Sequence, residues 1–187
     1  MTSPRRSSRR RNKQISPDPG IPSRPKRIIA VDPGINATGY GVLEKLSRRI
    51  EVLASGVITT PPRSDAPEKL AGIFSTLTEL LEKFHPGALV LEDVFYRKNI
   101  RSTLRLGEVR GVCSLAAARR GLPVYSYASR RVKKSTVGKG SADKLQVRSM
   151  VRVLLELEEE PASLDVSDAL ALGITYFQDN FFPAGKN

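Results

Sequence analysis

Unbroken apolar runs and helical stripes of apolar residues alternate along most of the chain. Residues 28–31 contain no polar position, which is typical of a strand buried on both faces, and residues 88–91 repeat the pattern. Apolar positions three and four apart predict an amphipathic helix from about residue 67 to 84. The other predicted elements are strands at about 39–43, 51–58 and 123–127 and helices at about 102–120, 129–136, 143–157 and 164–178. This order predicts an α/β fold, with a mixed sheet of five strands flanked by helices.

Charge is distributed unequally between the beginning of the chain and the rest. The 187 residues have a net charge of +12, and residues 1–27 contain nine Arg or Lys and one acid, against 22 and 18 afterwards. Residues 1–26 are therefore expected to form a disordered basic tail, followed by one domain at 27–180 and a flexible C-terminus at 181–187. The tail favours a polyanionic partner, nucleic acid first. A merely solvated tail and an organellar transit peptide are the alternatives.

The remaining composition excludes several classes of protein. No apolar run is long enough to cross a bilayer, so we expect a soluble, cytoplasmic protein with no membrane partner. The single cysteine, Cys113, permits no internal disulfide and lies in an apolar helical pattern. The single histidine, His85, disfavours both a zinc site and a histidine-dependent triad.

Four acidic residues occupy positions suited to shared chemistry. Asp32 and Glu92 each end a predicted central strand, which places them on one rim of the sheet if the strands are parallel neighbours. Asp165 and Asp168 are three residues apart at the start of a predicted helix and so share a face. The alternatives are structural: Asp32 caps a turn, and one member of the helical pair is an N-cap.

Four carboxylates gathered without a matching Lys or Arg would repel one another strongly unless a metal is bound. Oxygen-only ligands suit Mg²⁺ or Mn²⁺ rather than zinc. A pair of such ions is how nucleases stabilise an in-line displacement at phosphorus. The acids are therefore compatible with a metal-dependent nuclease, although this pattern alone is not specific for one.

Two further stretches suggest contact with nucleic acid. One contains six basic residues opposed by a single acid, Asp143: Arg130, Arg131, Lys133, Lys134, Lys139 and Lys144. Such residues bind phosphates without reading sequence, although an ordinary solvated face has the same composition. The other stretch places Phe95 and Tyr96 beside Arg97, Lys98 and Arg101. Aromatic residues among cations suit stacking on an unpaired base, and the alternative is that they belong to the core.

Several motifs, in a fixed order and spacing, resemble those of the RuvC family of Holliday-junction resolvases, which have the ribonuclease H-like fold. They are IAVDPG (29–34), TGYG (38–41), LEDVF (91–95), KN (98–99), LRLGEVRGV (104–112), VGKGSADKLQV (137–147) and DVSDALA (165–171). Together they cover about residues 28–178.

The resemblance implies a homodimer that makes paired symmetric nicks at a four-way DNA junction, in DNA recombination and repair. It assigns the ligands of two Mg²⁺ ions per subunit, for which Mn²⁺ would substitute, to Asp32, Glu92, Asp165 and Asp168. It assigns an aromatic wedge to Phe95 and basic DNA contacts to Lys98, Lys133 and Lys144, beside which Tyr96 and Lys134 are further candidates. It also implies helix pairing across the dimer near Gly107 and Gly111, and association with the RuvA–RuvB branch-migration complex. The basic tail is not part of the family pattern.

Two other classes of function are compatible with parts of this pattern. A catalytically silent junction-binding module on the same fold would gain nothing from unpaired acids in its groove. An actin-like ATPase also uses an Asp-containing hairpin, but it needs two lobes, for which the chain is too short.

Overall fold

The computed structural model describes residues 24–93 and 100–181. The predicted tail before residue 24 and the chain after residue 181 lie outside the described residues. So do three predicted DNA-contacting residues, Phe95, Tyr96 and Lys98.

Ten regular elements are present in the described residues. The strands are β1 (Arg27–Asp32), β2 (Ala37–Lys45), β3 (Ile50–Thr59), β4 (Leu89–Glu92) and β5 (Val124–Tyr127). The helices are α1 (Ala66–Phe84), α2 (Ile100–Ala118), α3 (Ser129–Val137), α4 (Lys144–Leu154) and α5 (Leu164–Phe181). None of the helices in this part of the chain combines the length and the apolar content that crossing a membrane requires.

The five strands form one mixed sheet in the order β3-β2-β1-β4-β5. The meander β1–β2–β3 is antiparallel, whereas β4 lies parallel to β1 and β5 lies parallel to β4. The α/β fold with a mixed five-stranded sheet, predicted from the pattern, is therefore confirmed.

The central strand β1 is buried on both faces, which explains why its sequence has no polar alternation. Ile28 and Ala30 belong to the core cluster under α3, α4 and α5. Ile29 and Val31 belong to the opposite cluster under α1 and α2. Because successive side chains of a strand point to opposite faces, alternate residues of the apolar run pack into different cores.

Helix α5 packs along one face of the sheet. It lies directly against β2, because a Cβ added at Gly41 would come within 2.7 Å of Leu170 Cδ2. Its first turn lies at the carboxyl end of β1. At the other end, Arg24 Nη1 donates to the carbonyl of Asn180 at 2.6 Å, so the first described residues are held against the last turn of the helix.

Helix α4 is shorter than its apolar pattern predicts. Asp143 caps its N-terminus in a capping box with Gln146. The helix ends at Leu154, and Glu156 has a left-handed φ of 53°. The predicted end at residue 157 is wrong because Leu155 and Leu157 still pack on the core after the helix has ended, and they extend the apolar pattern.

Candidate active site

Asp32 and Glu92 lie side by side at the carboxyl edge of the two central strands. Strands β1 and β4 are parallel neighbours, with Val31 paired to Leu91, so the next residue of each strand reaches the same edge. Asp32 is the last residue of β1, and Glu92 is the last residue of β4. The sheet therefore brings together two carboxylates that are sixty residues apart in the chain.

The first turns of α5 bring Asp165 and Asp168 to this edge. Gly39, which pairs with Asp32 across β1 and β2, allows the approach, because a Cβ at Gly39 would lie 2.1 Å from the carbonyl oxygen of Asp165. The side chain of Ser163 accepts a hydrogen bond from the amide of Val166 at 3.2 Å. Ser163 therefore caps the helix, and neither aspartate is needed for that role.

Asp32 is the electrostatic centre of the four acids. Burial, the carboxylate of Glu92 and the carboxylate of Asp168 raise the pKa of Asp32 from 3.8 to about 8. This value already includes a smaller rise caused by Asp165 and an opposing effect of the Lys144 charge. A carboxyl group held among other carboxylates gives up its proton less readily than a free one unless a cation compensates the charge.

Lys144, the first residue of α4, supplies one such cation. Its Nζ donates to Asp168 Oδ2 at 2.7 Å. This hydrogen bond is the main reason why the pKa of Lys144 is raised, and the charges of Asp168, Asp32 and Asp165 add to the effect. The four acids are therefore accompanied by a lysine, contrary to the expectation that they have no matching Lys or Arg. Lys144 was predicted as a DNA contact, and here it forms an ion pair inside the acidic cluster.

The donor chemistry of the cluster fits a hard divalent ion. All the candidate ligands are carboxylates, which suit such an ion. The ionised form of Asp32 is unfavourable in this environment unless a cation lies nearby. In residues 24–93 and 100–181, however, no group of three or more acidic, histidine or cysteine side chains is arranged to hold an ion. One carboxylate oxygen of Asp168 accepts a hydrogen bond from the ammonium group of Lys144.

Comparison with known proteins identifies the family. The model of the family "Crossover junction endodeoxyribonuclease RuvC" matches residues 28–176. The chain belongs to the RuvC family. The resemblance inferred from the motifs is thereby confirmed, and with it the class of hydrolase that acts on DNA.

Individual RuvC relatives match over most of their length. The crossover junction endodeoxyribonuclease RuvC of Actinobacillus succinogenes is 46% identical over 149 residues, which are 80% of this chain and 77% of the relative. Thermus thermophilus RuvC, solved in complex with a Holliday junction substrate, is 32% identical, with a TM-score of 0.78 over 84% of this chain and 96% of the other. The yeast mitochondrial Holliday junction resolvase shares the fold, with 17% identity and a TM-score of 0.60 over 82% of this chain and 78% of the other.

In this RuvC-family chain, the predicted basic residues divide between the cavity and the surface. The cavity at the carboxyl edge is lined by Asp32, Glu92, Ser129, Val132, Lys133, Lys144, Val147, Asp168 and Leu172. Lys133 therefore joins the acids, whereas Lys134 is exposed and is not among the lining residues. Successive residues of a helix point about 100° apart, which explains the different positions of the two lysines.

A second cleft adjoins the first and contains the fourth acid. Asp32, Asp165 and Lys144 line it together with the turn after β1 and with Arg101, Ser102 and Arg105 of α2. The other three acids thus lie on two sides of Asp32, in two cavities that share Asp32 and Lys144.

Sequence reasoning missed Arg110 of α2, which contacts the end of β4. Its guanidinium donates to the carbonyl oxygen of Glu92 and, at 2.6 Å, to Ser126 Oγ. An ion pair of 3.3 Å joins it to Asp93. The sequence does contain a sign of this role. Arg110 is a charged residue next to Val109 in the LRLGEVRGV motif, on the side of the helix that the apolar pattern predicts to be buried.

Proposed function

We propose that this chain is a divalent-metal-dependent endonuclease that resolves four-way DNA junctions by paired symmetric nicks, in recombination and repair. The observation that carries the proposal is the partly buried Asp32 at the end of β1, which has three other carboxylates around it and a pKa raised to about 8. A chain that only bound DNA would have no use for such a group beside phosphates. Membership of the RuvC family supports the same reaction.

Asp32, Glu92, Asp165 and Asp168 are the proposed metal ligands. We assign them two Mg²⁺ ions, with Mn²⁺ as a substitute, because carboxylate oxygens suit these hard ions. When bound, divalent ions supply Lewis acidity for in-line displacement at phosphorus. The protein's contribution is to hold four carboxylates at one edge of a rigid sheet, with Asp32 releasing its proton as the charge is compensated.

Lys144 and Lys133 are the proposed phosphate contacts of the active site. Both line the cavity that contains three of the acids, so a phosphate entering the cavity meets their ammonium groups. Lys144 has two roles in this proposal. Without metal it forms an ion pair with Asp168, and when Asp168 binds a metal ion instead, Lys144 can contact the phosphate. Outside the described residues, Phe95, Tyr96 and Lys98 remain proposed DNA contacts, and Lys134 is a proposed contact on the exposed face of α3.

A homodimer through α2 is the proposed source of the paired cuts. One face of this helix carries large apolar side chains that are well exposed: Ile100 (61%), Leu104 (63%) and Leu115 (54%). Between them, a Cβ at Gly107 or Gly111 would meet nothing within 4 Å. Small residues flanked by apolar ones allow two helices to approach closely, and a two-fold dimer would present two acidic clusters to the junction.

Three further assignments rest on the family resemblance or on charge. We propose that the RuvA–RuvB complex is a partner and that the protein works in the cytoplasm. We also propose that the basic residues before position 24 add DNA affinity that does not depend on sequence.

A synthetic mobile four-way junction incubated with Mg²⁺ tests the reaction. We expect two equal, symmetric nicks from the wild-type protein. Four single substitutions should abolish cutting while junction binding survives: Asp32→Asn, Glu92→Gln, Asp165→Asn and Asp168→Asn. As the matched control, Asp179→Asn near the other end of α5 should still cut. Cutting near the wild-type rate by any one of the four would remove that residue from the ligand set, and binding without cutting by the wild type would favour the silent module.

A further inference from the structure

Helix α2 reaches the acidic edge of the sheet through one half-buried arginine. Val109 and Cys113 of this helix are fully buried against the sheet, and Arg110 lies beside them with 24% of its side chain exposed. From this position its guanidinium extends to the carboxyl ends of β4 and β5. Arg110 therefore connects a helix to the strand end that carries Glu92.

The contacts of Arg110 converge on the backbone around Glu92. One nitrogen, Nη1, donates to the carbonyl oxygen of Glu92 itself. The other, Nη2, donates to Ser126 Oγ on β5 at 2.6 Å and lies 3.3 Å from Asp93 Oδ1. A planar guanidinium with several donors is suited to joining three acceptors in a fixed relation.

These contacts hold Glu92 without neutralising it. Arg110 bonds to the main chain of Glu92, and its ion pair is with Asp93. The carboxylate of Glu92 remains directed at the cluster, where it is among the groups that raise the pKa of Asp32. The amide of Asp93 also donates to the carbonyl of Tyr127 at 2.9 Å, so the chain is fixed on both sides as it leaves β4.

We propose that Arg110 is a positioning residue of the nuclease site, which sets the backbone of Glu92 and thereby the geometry of its carboxylate toward a bound metal ion. The inference rests on the proposed role of Glu92 as a ligand. Groups that orient a metal ligand typically change metal affinity or activity by about 10–100-fold when they are removed.

Arg110→Ala tests the inference, with Arg120→Ala as the matched control. Arg120, just beyond α2, has a similarly exposed side chain (29%) and pairs with Glu82 of α1, away from the acids. For each variant, three quantities are measured: the Mg²⁺ concentration that half-saturates the rise in melting temperature, the Mg²⁺ dependence of junction cutting, and junction binding in EDTA.

We expect Arg110→Ala to need about 10-fold or more Mg²⁺ for half-saturation in both titrations, with junction binding in EDTA unchanged. Arg110→Lys, which keeps the charge but lacks the planar fork, should recover part of the loss. Arg120→Ala should lower the melting temperature without moving either midpoint. Equal Mg²⁺ midpoints for Arg110→Ala and Arg120→Ala would overturn the inference.

Two further comparisons separate the possible failures. If Arg110→Ala does not fold, Arg110→Lys and Ser126→Ala replace it, and unchanged Mg²⁺ midpoints in both would overturn the inference. If Glu92→Gln abolishes cutting while Arg110→Ala behaves as wild type, only the positioning role falls. If Glu92→Gln cuts normally, the ligand role of Glu92 and the positioning role fall together.

Discussion

Replacing Asp32 with asparagine should remove most of the pH dependence that the acidic cluster imposes on the metal-free protein. The folded-state pKa of Asp32 is about 8, against an ordinary value of 3.8, because the group is buried among carboxylates. Between these two values the folded chain binds a proton that the unfolded chain has released. The free energy of unfolding therefore falls as the pH rises through this window.

The size of the effect follows from the two pKa values. One proton changes the free energy of unfolding by ~1.4 kcal/mol per pH unit. Between about pH 5.5 and about pH 7.5, the wild-type protein should lose about 2.5 kcal/mol through Asp32 alone. Asparagine has nearly the same shape and does not titrate, so the Asp32→Asn variant should lack this loss and be the more stable protein at the higher pH.

Urea unfolding in EDTA at the two pH values measures the difference. Asp143→Asn is the control, because asparagine caps a helix about as well as aspartate and Asp32 is left in place. At the higher pH, added Mg²⁺ should stabilise the wild type more than Asp32→Asn, since only the wild type has a carboxylate at the position proposed to bind the ion. An Asp32→Asn protein whose stability falls with pH as steeply as that of the wild type would refute the reasoning.

Three other predictions concern packing, assembly and the tail. Gly39→Ala places a Cβ within 2.1 Å of the carbonyl oxygen of Asp165, so it should destabilise the protein by about 1–3 kcal/mol and slow cutting, both measurable on the purified variant. Gly72→Ala, where a Cβ meets nothing within 4 Å, should be neutral or stabilising, and equal behaviour of the two variants would contradict the packing argument. Leu104→Lys should shift the sedimenting species from dimer to monomer, and an unchanged dimer would argue against pairing through α2. A variant beginning at Ser23 loses six basic residues but keeps the contacts of residues 24 and 25, and it should bind junctions with a shallower dependence on salt, which an unchanged slope would disprove.

The sheet and the positions of its acids could be predicted because local sequence determines them. The apolar runs that end at Asp32 and Glu92 indicate strands buried on both faces, and the structure confirms both strands as parallel neighbours. The spacing of Asp165 and Asp168 predicts a shared helical face, and both lie in the first turns of α5. These features depend on periodicity, which a single sequence displays.

The partners of the acids could not be predicted in the same way. Lys144 and Asp168 are 24 positions apart, and Arg110 and Glu92 are 18 apart, so each pair joins two different elements of the fold. Nothing in the local pattern of a basic run says which lysine turns inward, since Lys133 and Lys134 differ only by one step around a helix. Such pairings are decided by how the helices pack on the sheet.

Helix α5 also separates the beginning of the described chain from the four acids. From Asp165 to Asn180, where Arg24 is bonded, the helix rises by about 22 Å. That is more than two screening lengths of roughly 8 Å at physiological ionic strength. The charges at the entry to the domain, such as that of Arg24, are therefore too distant to alter the ionisation of the acids. A fluorescent or affinity label attached next to Arg24 would therefore join the domain at a point remote from the four acids.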